Sequence, residues 1–246
     1  GPEAITVELD AGGVTVTSPE RRAGPPVDVL RRVAAWFDLD TDLDAVDRRL
    51  AGDPALAAIA AARPGQRIVG YPDGFEATVV TVLGQQVSVR GACTFAGRLA
   101  ASFGRPGPAG TLAFPSAEDL ARVPPDDLRR ALGITASRSR TLRAVAELFA
   151  DGFRIDPASA RVAAERARST LAAVPGLGPW SVEYLAMRAL HDPDACPAGD
   201  LVLRRALRVE RAADVLDRAQ AWRPFRAYAV IRLWTASVTG MAELGG

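Results

Sequence analysis

The sequence of 246 residues contains no lysine, only two cysteines and a single histidine. Cys93 and Cys196 are too few for a disulfide framework or a four-cysteine metal cluster, and His191 alone argues against a histidine-rich metal site. No run of about 18 apolar residues occurs, so no membrane span is expected. The first residues also lack the basic and apolar regions of a signal peptide. These absences favour a reducing, cytoplasmic setting.

The charge is nearly balanced overall but unevenly distributed. All 30 basic residues are Arg, and the formal net charge is +1. Residues 1–121 carry 11 Arg against 15 acidic residues, a balance of −4, whereas residues 122–246 carry 19 against 14, a balance of +5. The C-terminal half could therefore face an anion, although an ordinary solvated surface explains the same charges.

The patterning predicts a mainly α fold with a small N-terminal β element. Residues 3–9 and 13–17 alternate apolar and polar, which predicts a β-hairpin. Beyond residue 25, helical periodicity and capping residues predict helices with short connections, and residues 105–114 are predicted to be a Gly- and Pro-rich loop. The predicted helices span residues 27–37, 43–50, 54–61, 75–103 with a break at Gly84, 117–122, 125–133, 137–150, 159 or 160 to 171, 180–190, 201–207, 211–221 and 224–238.

A glycine turn, Pro175-Gly176-Leu177-Gly178-Pro179, lies between two predicted helices. Glycine allows backbone angles closed to other residues and lets N–H groups approach a phosphate oxygen. The N-terminus of the following helix favours an anion as well. An ordinary corner between two helices uses the same residues, so the turn alone leaves both interpretations open.

Asp200 follows that helix, at the start of the next one. Asp is a good N-cap, and this role alone explains its position. A carboxylate beside a polyanion costs Coulomb energy, however, and Ser or Thr could cap as well. Trp180, Tyr184 and Trp234 fit an ordinary core, and Gln85-Gln86 at the break in the long helix fit caps or groups that reach into a groove.

Three segments together resemble a known family. LAAVPGLGPWSVEYLAMRAL with PAGD after it, PDGFEATVVTVLGQQVSV, and AWRPFRAYAVIRLW are similar to motifs of the helix-hairpin-helix DNA glycosylases, and among these to the AlkA type, the 3-methyladenine DNA glycosylases II. The resemblance covers about residues 20–240. It implies the glycosylase fold of two helical subdomains, divided here into residues 1–24 (partial β element), 25–74 (N-terminal helices), 75–190 (central helices and hairpin) and 191–246 (C-terminal helices).

The resemblance also implies roles for individual residues. Asp200 matches the catalytic aspartate. Trp180, Tyr184 and Trp234 match aromatic residues of the base pocket, and Gly176 and Gly178 match the amides that bind phosphate. Gln85 and Gln86 match DNA-contacting positions, Gln86 in the place of a wedge that is commonly leucine in the AlkA type. The carbonyls of Ala172, Val174 and Leu177 match those that hold a structural Na⁺ or K⁺.

The implied activity is hydrolysis of the N-glycosidic bond of alkylated bases such as 3-methyladenine in double-stranded DNA, without a catalytic cofactor. Relatives that cleave the strand use a lysine, and iron–sulfur relatives use four cysteines; this sequence has neither, which favours a monofunctional enzyme. A non-catalytic DNA-binding module and a glycosylase for a deaminated base such as hypoxanthine remain alternatives.

We expect a monomer without membrane contact. The single hairpin in place of the family's fuller β-sheet fits a trimmed chain or a fusion to an upstream alkylation-response regulator.

Overall fold

The computed structural model describes residues 5–10, 13–18, 24–155 and 161–239. Near its start lies a two-stranded antiparallel sheet of β1 (Thr6–Asp10) and β2 (Gly13–Thr17), in which Thr6 faces Thr17. Most side chains of the two strands are exposed. The expected hairpin is confirmed, and its turn lies outside the described residues.

The remainder is mainly helical, which confirms the predicted fold class. The helices are α1 (Val27–Trp36), α2 (Leu43–Leu50), α3 (Pro54–Ala62), α4 (Gly74–Gly84), α5 (Val89–Phe103), α6 (Ala117–Arg122), α7 (Pro125–Leu132), α8 (Ala136–Ala150), α9 (Arg161–Ala172), α10 (Pro179–Arg188), α11 (Leu201–Ala206), α12 (Ala212–Ala219) and α13 (Arg226–Val238). Within the described residues, no helix has the length and apolar character needed to cross a membrane.

Side-chain caps explain many of these helix starts. An N-cap oxygen accepts a hydrogen bond from a backbone N–H of the first turn, which satisfies a donor that has no partner within the helix. Such caps begin α2, α3, α4, α5, α6, α8 and α11, and they are Asp42, Asp53, Asp73, Ser88, Ser116, Thr135 and Asp200.

The break predicted at Gly84 is confirmed, because α4 ends there and α5 begins at Val89. The prediction of a plain loop for residues 105–114 is wrong in part. Arg105–Pro106 (β3) pairs antiparallel with Leu112–Ala113 (β4) around a short 3-10 turn. The last helix starts at Arg226, two residues later than predicted. The predicted start of α9 at residue 159 or 160 lies outside the described residues.

Two hydrophobic cores meet at α10. One core is built from α4 to α8 and the hairpin, and the other joins α2 and α3 to α11, α12 and α13. Val182 and Leu185 of α10 belong to the first core, whereas Ala186 and Met187 belong to the second. The N-terminal helices therefore share a core with the C-terminal ones, and α10, like α9 with Ala167 and Leu171, contributes side chains to both cores.

Candidate functional site

The hairpin between α9 and α10 depends on Gly176. Its φ of 96° lies in the left-handed region. A Cβ atom there would lie 2.0 Å from Oγ1 of Thr141, whose hydroxyl donates to the Pro175 carbonyl at 2.9 Å. Both the backbone angle and the close approach of α8 exclude a side chain at this position.

Gly178 is the N-cap of α10 and leaves that helix end uncovered. It offers no side-chain cap, and a Cβ atom built on it would meet nothing within 4 Å. The first N–H groups of a helix have no partner within the helix, and the helix dipole places partial positive charge there. The start of α10 is thus accessible to an anion.

Asp200 has a different environment at the start of α11. Its Oδ1 accepts from the Leu203 N–H at 2.8 Å and from Trp234 Nε1 at 2.9 Å. Its Oδ2 accepts from Trp180 Nε1 at 3.0 Å. Three donors on three different elements, α10, α11 and α13, hold the half-buried carboxylate in one orientation. Asp200 is therefore a cap, as expected, and also the centre of a hydrogen-bonded group.

The three aromatic residues named from the sequence lie together around that carboxylate. Trp180 and Tyr184 are one turn apart on α10 and stack with ring centroids 5.1 Å apart and an interplanar angle of 19°. Tyr184 and Trp234 have centroids 6.1 Å apart at 36°. All three are half-buried rather than core residues.

These rings and Asp200 line a cavity of about 820 Å³. Its other walls come from α4, α5 and α13 and from residues 66–71, which precede α4. The volume lies within the range of small-molecule sites. The wall includes exposed valines near the opening, namely Val69, Val87, Val89, Val202 and Val238.

Gln85 connects the α4–α5 joint to the hairpin. Its Nε2 donates to the Gly176 carbonyl at 2.9 Å and to Ser181 Oγ at 3.0 Å. Gln86 is exposed and has a φ of 55°. Neither residue is part of the cavity wall, whereas the next residue, Val87, is. The DNA contacts expected for the two glutamines stay predictions, and the Gln85 amide nitrogen already has partners within the protein.

Several wall residues were not anticipated from the sequence, among them Gln66, Tyr71 and Arg188. Gln66 Nε2 donates to Thr235 Oγ1, and its Oε1 is buried without a partner in the described part of the chain. The pKa of Tyr71 is raised well above its usual value, first by burial and then by the adjacent Tyr184. Gln66 and Tyr71 lie in an irregular segment without periodicity, so no sequence signal placed them at the site.

The three carbonyls expected to bind a cation belong to the end of α9 and to the hairpin turn that follows it. The Val174 carbonyl accepts from the Leu177 N–H at 3.0 Å. Among the described residues, no backbone N–H outside the helices donates to the carbonyl of Ala172 or of Leu177. The donor set is neutral oxygen, and no cluster of three His, Cys, Asp or Glu side chains suited to a metal occurs among the described residues.

The sequence of this region matches a known protein family. The model described as "HhH-GPD superfamily base excision DNA repair protein" matches residues 79–220, a range that contains the hairpin, Trp180, Tyr184 and Asp200. The chain belongs to the HhH-GPD superfamily. A second model, "AlkA N-terminal domain", matches residues 4–73.

Relatives of this superfamily cover most of the chain. "Probable bifunctional transcriptional activator/DNA repair enzyme AlkA" of Mycobacterium tuberculosis is 44% identical over 213 residues, which are 83% of this chain but 42% of that protein. The chain thus spans less than half the length of that relative. "DNA-3-methyladenine glycosylase" of Bacillus subtilis is 30% identical over 217 residues, covering 84% of this chain and 71% of that protein.

A solved structure has a similar fold. The solved "3-methyladenine dna-glycosylase from Archaeoglobus fulgidus" aligns with a TM-score of 0.80 at 19% identity, and covers 95% of this chain and 82% of that one. At this identity the likeness concerns the HhH-GPD fold alone.

Proposed function

We propose that this chain is a monofunctional DNA glycosylase that removes alkylated bases, 3-methyladenine and related N3- or N7-alkylpurines, in base excision repair. The observation that carries the proposal is a carboxylate, Asp200, held by the indole N–H groups of Trp180 and Trp234 in the wall of a cavity large enough to admit a purine. A non-catalytic DNA-binding module would need neither the half-buried carboxylate nor the aromatic cavity. The B. subtilis relative, named a DNA-3-methyladenine glycosylase, supports the same activity, and the M. tuberculosis relative, named in part a DNA repair enzyme, supports a role in repair.

The reaction begins when the damaged nucleotide leaves the DNA stack and enters the cavity, which costs a few kcal/mol and least for a weakly paired base. Alkylation at N3 or N7 makes the purine cationic. The electron-rich faces of Trp180, Tyr184 and Trp234 favour such a cation. The same positive charge makes the base a good leaving group, so its departure requires little acid catalysis.

As the glycosidic bond breaks, positive charge develops on the sugar. The Asp200 carboxylate, already oriented by three N–H donors, stabilises that charge and orients or deprotonates the attacking water. A preorganised electrostatic group of this kind contributes on the order of 3–4 kcal/mol. Water is the nucleophile, because the chain has no lysine side chain that could attack the sugar. Catalysis in this scheme uses no cofactor.

The hairpin binds the DNA backbone beside the lesion. The N–H groups of Gly176 and Gly178 and the uncovered start of α10 provide a site for one phosphate. The carbonyls of Ala172, Val174 and Leu177 would hold a Na⁺ or K⁺ that stiffens the turn, since neutral oxygens suit such an ion. Gln85 and Gln86 would approach the DNA from the α4–α5 joint, Gln86 at the gap left by the flipped base.

The partner is double-stranded DNA with damaged bases, and we propose that the protein acts as a cytoplasmic monomer without membrane contact. The name of the M. tuberculosis relative, which combines a transcriptional activator with a repair enzyme, supports an upstream regulatory domain in the full-length protein. Size-exclusion chromatography with light scattering tests the monomer.

Base release from methylated duplex DNA, with the products identified by chromatography, tests the activity directly. We expect 3-methyladenine among the released bases and an intact DNA strand. Borohydride added during turnover should trap no covalent protein–DNA adduct. Release of no methylated base would refute the proposed substrate class, and a trapped adduct would refute the monofunctional mechanism.

A further inference from the structure

Arg188 is the last residue of α10 and lines the cavity two turns beyond Trp180. Its guanidinium lies over the ring of Tyr184, with Cζ 5.8 Å from the centroid. Side chains on a helix lean toward its N-terminus, so the guanidinium extends back along α10 toward the aromatic residues. The proposed mechanism does not use this group.

The hydrogen bonds of Arg188 leave it incompletely paired. Nη1 donates to the Val69 carbonyl, and Nε is buried without a partner. Nη2 has no acceptor within the described residues and, unlike Nε, is not buried. One edge of the guanidinium is therefore fixed by the protein while another remains available to a molecule in the cavity.

The charge of Arg188 is also uncompensated in the part of the chain that the structure describes, where no carboxylate forms an ion pair with it. Arg168 and Arg226 differ in this respect, whereas Arg204, which is also half-buried, likewise has no ion pair among the described residues. Arg168 contacts Glu183 and Asp192, and Arg226 contacts Asp194 at 2.8 Å. The free donor of Arg188 can therefore pair with water or with an acceptor on a molecule in the cavity.

The cavity wall contains the negative charge of Asp200 and the positive charges of Arg188 and Arg67. Asp200, bonded to Trp180, provides the negative charge where the sugar would lie. Arg188 is eight residues further along α10, about 12 Å along the helix axis, and its guanidinium leans back over Tyr184. A purine whose sugar lies at Asp200 would direct its far edge toward the guanidinium.

We propose that Arg188 is a specificity-determining residue that recognises 6-oxopurine lesions, such as alkylated guanines, through the carbonyl oxygen at position 6. This inference rests on the proposed glycosylase function. A guanidinium can only donate hydrogen bonds. The oxygen of a 6-oxopurine accepts them, whereas the amino group of an adenine at the same position is itself a donor. Arg188 thus forms a hydrogen bond with a 6-oxopurine and none with the 6-amino group of an adenine.

Duplex DNA treated with dimethyl sulfate tests this, because it contains 7-methylguanine and 3-methyladenine in one substrate. Both bases are cationic, so their release ratio isolates the hydrogen bond from the overall charge. Arg188→Met keeps an unbranched stem against Tyr184 and removes every donor. We expect the rate of 7-methylguanine release, relative to 3-methyladenine, to fall about tenfold, equivalent to about 1.4 kcal/mol.

Two further variants complete the experiment. Arg188→Lys retains the charge and one donor site and should show a smaller fall in the ratio, which also covers the case in which the Met variant does not fold. Arg63→Met removes one exposed positive charge outside the cavity and should leave the ratio unchanged. An unchanged ratio in both Arg188 variants, or an equal loss for both bases, would overturn the role of Arg188. Wild-type protein that releases neither base would instead overturn the glycosylase proposal.

Discussion

The starts of α10 and α11 lie near the same cavity and are built in opposite ways. The start of α10 has glycine as its N-cap, no side-chain cap and open space in front of it. The start of α11 has Asp200, whose carboxylate caps the helix and accepts two indole N–H groups as well. One helix end is left open to an external anion, whereas the other contains an anion of the protein itself.

Under the proposed function, this difference would let one small region both bind DNA and act on it. A phosphate needs N–H groups that nothing else occupies, and Gly178 provides them by having no side chain. A developing sugar cation needs a fixed negative charge, and Asp200 provides it while the cap and the indoles hold it in place. Exchanging the two arrangements would leave the DNA backbone facing a carboxylate and the sugar without one.

Asp200→Asn should have the largest effect of the variants that test this comparison. Asn keeps the oxygen that caps α11 but presents its NH2 group to the Trp180 N–H, so we expect some loss of folding stability together with the loss of charge. We expect release of 3-methyladenine to fall by about 10²–10³-fold, as for other single electrostatic groups in active sites. Single-turnover base release measures the effect, with binding to abasic-site DNA as the control. Retained turnover would show that Asp200 is only a cap.

Gly176→Ala tests the hairpin. The positive φ and the 2.0 Å approach to Thr141 should together lower the free energy of unfolding by about 1–3 kcal/mol. Gly178→Ala is the matched control, because its φ of −79° suits any residue and its Cβ meets open space. Urea denaturation of the two variants provides the comparison. Equal losses would mean that the strain at residue 176 does not set the turn.

Trp234→Phe sharpens the assignment of the indole donors. Phe keeps an aromatic face but removes the N–H that donates to Asp200 Oδ1, so we expect roughly a tenfold lower rate of base release, as for loss of a hydrogen bond to a charged group. Trp180→Phe removes the donor to Oδ2 and should have a similar effect. In the double variant the losses should not add, because both bonds act on one carboxylate. Full activity in both single variants would argue that packing alone orients Asp200.

Much of this site could be predicted because local signals mark it. The glycine turn, the cap at Asp200 and the break at Gly84 are each encoded within a few residues, and the structure has all three. The hydrogen bonds from Trp180 and Trp234 to Asp200 were not predicted, since they join residues 20 and 34 positions away along the chain. Gln85 was considered a cap or a DNA contact; it is the C-cap of α4, and its amide nitrogen also binds the hairpin 91 residues further on, which was not predicted. The cavity wall at residues 66–71 has no periodicity to reveal it.

Because α10 is packed into both cores, its register fixes the positions of the site residues on its surface relative to the hairpin. Its first residue follows Gly178 and the proposed phosphate site, and Trp180, Tyr184 and Arg188 lie on one face at intervals of four. At 3.6 residues per turn, inserting a single residue after Gly178 would rotate that face by about 100° relative to the hairpin. The aromatic rings would then turn away from Asp200 although every residue of the site was still present. We therefore expect insertions and deletions within α10 to be far more damaging than equal changes of length in the loops. The spacing from Gly178 to Trp180 and Tyr184 sets the distance between the proposed phosphate site and the aromatic wall of the cavity.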